Sequence, residues 1–388
     1  MHTLFSTVLV LLFSAFAASG FARAAEPATG LPGITPPGIA AAAWLLTDVK
    51  SGQTLGAANA DERRDPASLT KLMTAYLVFG ALRAKTILPS QMVDVSQHAW
   101  RAEGSRMFIE PRRSVTVDEL LHGMIVQSGN DASIALAELV GGSEEAFATK
   151  MNGEAVRLGM TNTRFTNATG LSHPQHYSTA ADMAKLAASL IRDYPEYYPL
   201  YAQKEFRYNN ITQPNRNRLL WTDPHVDGLK TGHTDAAGWC LIASALRGER
   251  RVLAVVLGAN SDAARATEAQ KLLNFGFQAF DTVQLYQSGK QVTSLRVWKG
   301  TTPEVPAGFL ADRHLTLPKG KADKLTLSMQ AQEPLVAPVA RAQAVGIVKV
   351  ALEGKVIAEF PLIALEEVPQ GNLFARAWDS VRLWFRKN

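Results

Sequence analysis

Past the middle of the chain, the stretch VDGLKTGHTDAAGWCLIASALRGERRVLAVVLGAN packs three apolar runs into little more than their own length. The pattern reads as strand, turn, strand, turn, strand. The last two runs are separated only by Arg-Gly-Glu-Arg, too short for a crossover helix, so they pair as an antiparallel hairpin. Two earlier runs, AAAWLLTDV and SGQTLGAAN, read as strands joined at a Lys-Ser-Gly turn. Between these strand regions, residues from about 115 to 200 are mostly helical, with TVDELLHGMIVQ, DASIALAELV, SEEAFATKMNGEAVRLGM and STAADMAKLAASLIRDY as candidate helices. DAARATEAQKLLNFGFQAFDTV closes this part as a further helix.

From about residue 286 the composition changes to short alternating runs punctuated by Gly, Pro and charged turns, which predicts a small all-β module, read as a sandwich. At 388 residues, 47% hydrophobic and 19% charged, the chain can bury a sizeable core. The net charge of +5 suits anionic partners, but no stacking aromatics interleave a basic stripe, so nucleic acid is not expected. Leu4–Ala18 is apolar and leads to the small-x-small site Ala22-Arg23-Ala24, which predicts a signal peptide over 1–24 and export. The apolar run is short for a membrane span. Cys240 is the one cysteine, so no intramolecular disulfide forms, and its apolar setting marks a small core residue. The eight histidines show no ligand spacing, and neither a metal nor a cofactor is expected.

Three short motifs carry chemistry. Ser68-x-x-Lys71 heads an apolar stretch in which Leu69, Leu72, Met73, Tyr76 and Leu77 recur at helical spacing. Ser128-Gly129-Asn130 lies between two predicted helices, and Lys230-Thr231-Gly232 lies on the first strand of the triplet. Each is weak alone. Their order, and their helix, loop and strand settings, make them strong together. Residues i and i+3 of a helix share a face, so the Lys71 amine reaches the Ser68 hydroxyl. Burial, the helix dipole and a second lysine would all lower the Lys71 pKa, leaving a neutral amine to take the hydroxyl proton. Ser128 can relay a proton to a leaving amine, and Asn130 can hold Lys71 and a substrate amide. Lys230 adds positive charge, and the Thr231 hydroxyl can bond a substrate carboxylate. Gly232 leaves room for a substrate strand along this edge. The backbone N–H groups of Ser68 and His233 are the expected oxyanion hole.

The ordered triple is the signature of penicillin-binding proteins and class A β-lactamases. With DPASLTKLMTAY, VQSGNDASIALAE, MTNTRFTNATGL, NRNRLLW and VDGLKTGHTDAAGW, the chain resembles the low-molecular-mass penicillin-binding proteins, specifically the membrane-bound D-alanyl-D-alanine carboxypeptidases, from about residue 40 to the C-terminus. The resemblance implies an α+β fold: an antiparallel sheet flanked by helices, a helical lobe carrying Ser-Gly-Asn, and a β-rich domain. It implies removal of the terminal D-Ala from the peptidoglycan stem pentapeptide through an acyl-enzyme at Ser68, and covalent inhibition by β-lactam antibiotics. By the same likeness Arg216 and Arg265 lie near the substrate carboxylate. The expected organisation is a signal peptide (1–24), a catalytic domain (25–285), a β-rich domain (286–368) and an amphipathic helix (369–388).

Three other readings stand beside this one. A D,D-endopeptidase shares the triple. A class A-like β-lactamase needs a glutamate that activates the deacylating water, and Glu205 with Asn209 has tempting spacing but falls too close before Lys230. A non-enzymatic wall-binding protein would carry a degenerate triple, whereas this one is intact. In the tail, Leu373, Phe374, Ala377, Trp378, Val381, Trp384 and Phe385 recur at helical spacing, with Arg376, Asp379, Arg382, Arg386 and Lys387 mostly opposite. Too short and charged to span, this segment suits the membrane surface, placing the enzyme on the periplasmic face of the inner membrane.

Overall fold

The computed structural model describes residues 34–387; the expected signal peptide lies outside the described residues. Five antiparallel strands form the central sheet, in the order Thr54–Ala58, Ala43–Asp48, Arg250–Ala259, Gly238–Arg247, Val226–Thr234. The hairpin read at Arg-Gly-Glu-Arg closes with Arg247 opposite Arg250. The apolar runs are nearly continuous because both faces of the sheet are covered. Leu253, Val255 and Leu257 face one core, and Val252, Ala254 and Val256 face the other. Ala43 and Leu45 divide from Trp44 and Leu46 in the same way, with the period of two that a strand imposes.

The first core is filled by a helical lobe. Its central helix, Lys71–Arg83, buries Leu72, Met73, Ala75, Tyr76, Val78, Phe79 and Leu82, so it is apolar nearly all round. Around it stand Val117–Val126, Asn130–Gly141, Glu144–Arg157 and Ala180–Asp193, as the sequence predicts. Their starts have chemical causes. Thr116 and Glu119 form a reciprocal capping box, and the Ser143 and Thr179 hydroxyls accept from Ala146 and Asp182 backbone N–H groups. The second core is covered by the helix Asp262–Ala279 through Ala269, Leu272 and Leu273. That helix ends sooner than the sequence suggests. Phe280–Tyr286 is a strand paired with Arg313–Pro318, where β-branched Thr282 and Val283 suit a sheet better than a helix terminus.

The remaining β module is a six-stranded sheet in the order Leu325–Ala331, Ala344–Leu352, Lys355–Ala364, Glu304–Gly308, Gln291–Trp298, Leu335–Val336. Val305, Ala307, Phe309, Val345 and Leu362 are among its buried residues. The fully buried Asp48 ties the first strand of the central sheet to this half of the chain. Its Oδ2 accepts from Arg250 Nε at 2.9 Å and from Thr282 Oγ1 at 2.6 Å. The helix Leu373–Lys387 closes the described chain. Asp379 Oδ2 accepts from the Lys299 backbone N–H at 2.6 Å, whereas Leu373, Phe374, Trp378, Trp384 and Phe385 are exposed. Among the described residues no helix is long and apolar enough to cross a membrane.

Candidate active site

Pro66 leads into a single 3-10 turn, Ala67–Thr70, on which Ser68 sits, and the α-helix begins at Lys71. The tighter turn puts the half-buried Ser68 above the buried Lys71, with Lys71 Nζ 2.9 Å from Ser68 Oγ. Lys71 Nζ also donates to Asn130 Oδ1 and to the Thr169 carbonyl, both at 2.6 Å. Two acceptors therefore use two N–H bonds, and the third tetrahedral position points at the serine hydroxyl. Lys71 is only 1% exposed. Burial first, then the positive Arg216, bring its pKa down from 10.5 to about 7, against the opposing pull of Asp131 and Glu144.

The other two motifs converge on the same point. Ser128 occupies the break between two lobe helices with φ of 67°, a left-handed conformation costly for a residue with a Cβ. Its Oγ accepts from Lys230 Nζ at 2.9 Å. Burial, then the charges of Lys71, Arg216 and Arg265, hold Lys230 well below the ordinary lysine range. Asn130 completes its pairing by donating from Nδ2 to the Glu103 carbonyl at 2.6 Å. Val226–Thr234, which carries Lys230, Thr231, Gly232 and His233, is an edge strand of the sheet, so one side is open to an extended ligand. Gly232 has a second use. A Cβ there would lie 3.2 Å from Ser68 N and 3.1 Å from Ala67 Cβ, so the glycine lets the strand approach the serine turn.

These groups line a cleft of about 370 Å³ that includes Ser68, Ser128, Asn130, Thr231, Gly232 and His233, together with Arg216 and Arg265. Arg216 is exposed at the rim, and among the described residues no ion pair engages it. Arg265 is held firmly. It donates to the Gly232 carbonyl at 3.0 Å, pairs with Asp262, and stacks over Trp239 at 5.0 Å. It therefore braces the strand while also facing the cleft. Glu205 is exposed on the hairpin Glu205–Tyr208 with Ile211–Pro214, and among the described residues lining the cleft there is no carboxylate. Nor do the described residues include a cluster able to hold a metal ion. Cys240 is buried in its strand, and burial pushes its thiol up to about 11.

The sequence over residues 32–261, more than half of the chain, matches the family described as D-alanyl-D-alanine carboxypeptidase. The chain belongs to the D-alanyl-D-alanine carboxypeptidase family. Residues 280–370 match a second description, the C-terminal domain of penicillin-binding protein 5. The D-alanyl-D-alanine carboxypeptidase DacC of Escherichia coli (strain K12) is 45% identical over 362 residues, covering 91% of this chain and 90% of the relative. The crystal structure of penicillin-binding protein 5 from Haemophilus influenzae superposes with a TM-score of 0.85 at 42% identity, over 87% of this chain and all of that one (100%). Penicillin-binding protein D2 from Listeria monocytogenes, solved in its ampicillin-bound form, superposes at 0.58 with 32% identity, over 63% of this chain and 100% of that one.

Some residues that support this cleft fall outside the three motifs. Thr169 contributes only its carbonyl, which any residue could supply. Asp131, buried beside Asn130, accepts from the backbone N–H groups of Met107, Phe108 and Ile109 at 2.9, 2.8 and 3.2 Å, clamping the loop that holds Asn130. A carboxylate placed straight after Ser-Gly-Asn at the start of an apolar helix was the available signal. Asp65 accepts from Ala67 N at 2.7 Å, from Thr234 Oγ1 at 3.3 Å and from Ser172, joining the serine turn to the strand and to the loop beyond residue 166.

Proposed function

We propose that this chain is a serine-type D-alanyl-D-alanine carboxypeptidase that removes the terminal D-Ala from peptidoglycan stem pentapeptides through an acyl-enzyme at Ser68. The observation that carries the reading is the bonding at Lys71 Nζ: two carbonyl oxygens accept its N–H bonds while the remaining direction meets Ser68 Oγ. A neutral amine in that geometry has its lone pair on the hydroxyl. Lys71 takes the Ser68 proton as Oγ bonds to the carbonyl carbon of the penultimate D-Ala. Backbone N–H groups of Ser68 and His233 receive the developing oxyanion. The proton passes through Ser128, beside Lys230, to the leaving D-Ala nitrogen as the peptide bond breaks. Water then attacks the ester carbonyl; Lys71 takes the water proton and returns it to Ser68 Oγ as the acyl–oxygen bond breaks. Thr231 and Arg216 hold the substrate's terminal carboxylate, and Arg265 keeps the strand and its charge in place. A β-lactam is cut by the same attack; turnover of the class A β-lactamase kind would need a carboxylate to activate water, and among the described residues lining the cleft there is none.

The organisation that goes with this activity is an exported catalytic domain to about residue 285, a β-rich domain to about 368, and a terminal helix that lies on the outer face of the inner membrane. Six large exposed apolar side chains on that helix, Phe374 (88%) and Trp378 (65%) among them, support interfacial binding. The test is mass spectrometry of products from a purified stem pentapeptide and from a cross-linked dimer. Release of D-Ala from the pentapeptide is expected. Cleavage of the dimer alone would replace this reading with an endopeptidase, and no product from either would leave a wall-binding protein.

A further inference from the structure

We infer that His176 is a positioning residue for the Ser68–Lys71 pair, tying Thr70 between them to the loop whose Thr169 carbonyl engages Lys71. The ring is 3% exposed and the Thr70 side chain is fully buried. His176 Nδ1 lies 3.1 Å from the Thr166 backbone nitrogen, which can only donate, so Nδ1 is the accepting nitrogen. The proton therefore sits on Nε2, which donates to Thr70 Oγ1 at 2.8 Å. Thr70 ends the 3-10 turn that presents Ser68 and stands next to Lys71 in sequence. One ring thus spans the serine turn and the loop from Thr166 to Leu171.

That loop touches the turn at a second point. Gly170 has φ of +85°, and a Cβ there would lie 1.8 Å from the Ala67 carbonyl and 2.9 Å from Thr70 Oγ1. The loop and turn are in backbone contact, and the His176–Thr70 bond sets their relative height. Asn167 Oδ1 accepts from Gly170 N at 2.7 Å, and Glu144 Oε1 accepts from Ala168 N at 2.9 Å, so the loop itself is stiff. A shift at Thr70 therefore changes the distance between the Thr169 carbonyl and Lys71 rather than being absorbed in the loop. Burial holds the imidazole at about 4, with Asp65 opposing and His173 and Lys71 reinforcing, so the ring is in its bonding form when the enzyme works.

This inference rests on the acyl-enzyme reading, and the test separates the two. In the purified mature chain, the rate constant for acylation by a labelled penicillin, KM and kcat for D-Ala release, and thermal unfolding are measured. The variants are His176→Asn, His176→Gln, Thr70→Val and His176→Asn with Thr70→Val. Gln carries an N–H to the position of Nε2, whereas Asn reaches only the position of Nδ1. His176→Asn and Thr70→Val should each slow acylation about tenfold or more, the scale of a small misplacement of reacting groups, with KM changed less than about twofold. His176→Gln should stay within about threefold of the parent. The double variant should be no slower than the slower single one, since both remove one bond. Equal losses for Asn and Gln, multiplied losses in the double variant, or rates that merely follow the melting temperature would overturn the inference. Should a His176 variant fail to fold, near-normal acylation by the near-isosteric Thr70→Val would overturn it by itself. An unlabelled parent enzyme would instead refute acylation at Ser68.

Discussion

Acylation should depend on pH through Lys71. The fall of its pKa from 10.5 to about 7 corresponds to about 5 kcal/mol favouring the neutral amine in the folded protein. Two consequences have defined signs. The reactive form is unprotonated, so the penicillin acylation rate should rise with pH and level off above about 7. Two pH units lower, about 1% of the amine is neutral, and acylation should be about a hundredfold slower. For stability, the unfolded chain binds the extra proton between about 7 and 10.5, so this group's contribution rises with pH over that window and its penalty is complete below it. Stopped-flow measurement of adduct formation from pH 5 to 9 reads the first effect. Lys71→Arg, which keeps the charge but cannot deprotonate, should be slower than the parent's plateau rate above about 7 by roughly two orders of magnitude or more. A flat parent profile, or an arginine variant at near-normal rate, would refute the assignment of Lys71 as base.

Three further outcomes follow from the site and the tail. Arg216→Ala should weaken turnover of peptides with a free C-terminal carboxylate about tenfold or more, and of amidated ones much less, the difference being one charge-assisted contact; equal losses would make Arg216 structural. Asp131→Ala strands three backbone donors, those of Met107 and Ile109 in buried bonds and that of Phe108 in a part-buried one, and should destabilise by about 3–5 kcal/mol, read as a melting temperature lower by on the order of 10 °C; an unchanged melting temperature would remove the clamp. Deleting residues 371–388 should release the enzyme from vesicles of anionic phospholipid while hydrolysis of a soluble peptide persists; retention on vesicles would contradict interfacial anchoring, and loss of hydrolysis would mean the helix supports its own protein.

What could be read from the chain follows from which groups carry information in side chains. Val252 to Leu257 read as a strand because its apolar residues form a continuous run, and Arg-Gly-Glu-Arg fixed its partner; that the run is covered on both faces came from the structure. Ser68, Lys71, Ser128, Asn130 and Lys230 were legible because the proposed chemistry needs those residue types in that order, and they stand in two hydrogen-bonded groups, Ser68 and Asn130 on Lys71 and Ser128 on Lys230. The Thr169 carbonyl was illegible because every residue has one. His176 and Asp131 were passed over because their partners are backbone amides or a neighbouring hydroxyl, and neither leaves a spacing pattern. Phe280 to Val283 were read as the end of a helix because the apolar periodicity of the preceding turns runs on, whereas pairing with Arg313–Pro318 is long-range.

The central claim is that Ser68 carries the acyl group. Intact-protein mass spectrometry after incubation with a penicillin, followed by peptide mapping, measures this directly. One adduct of the intact antibiotic's mass is expected on the peptide containing Ser68, and none in Ser68→Ala, which should also release no D-Ala. An adduct that survives in Ser68→Ala, or one mapped to another residue, would contradict it.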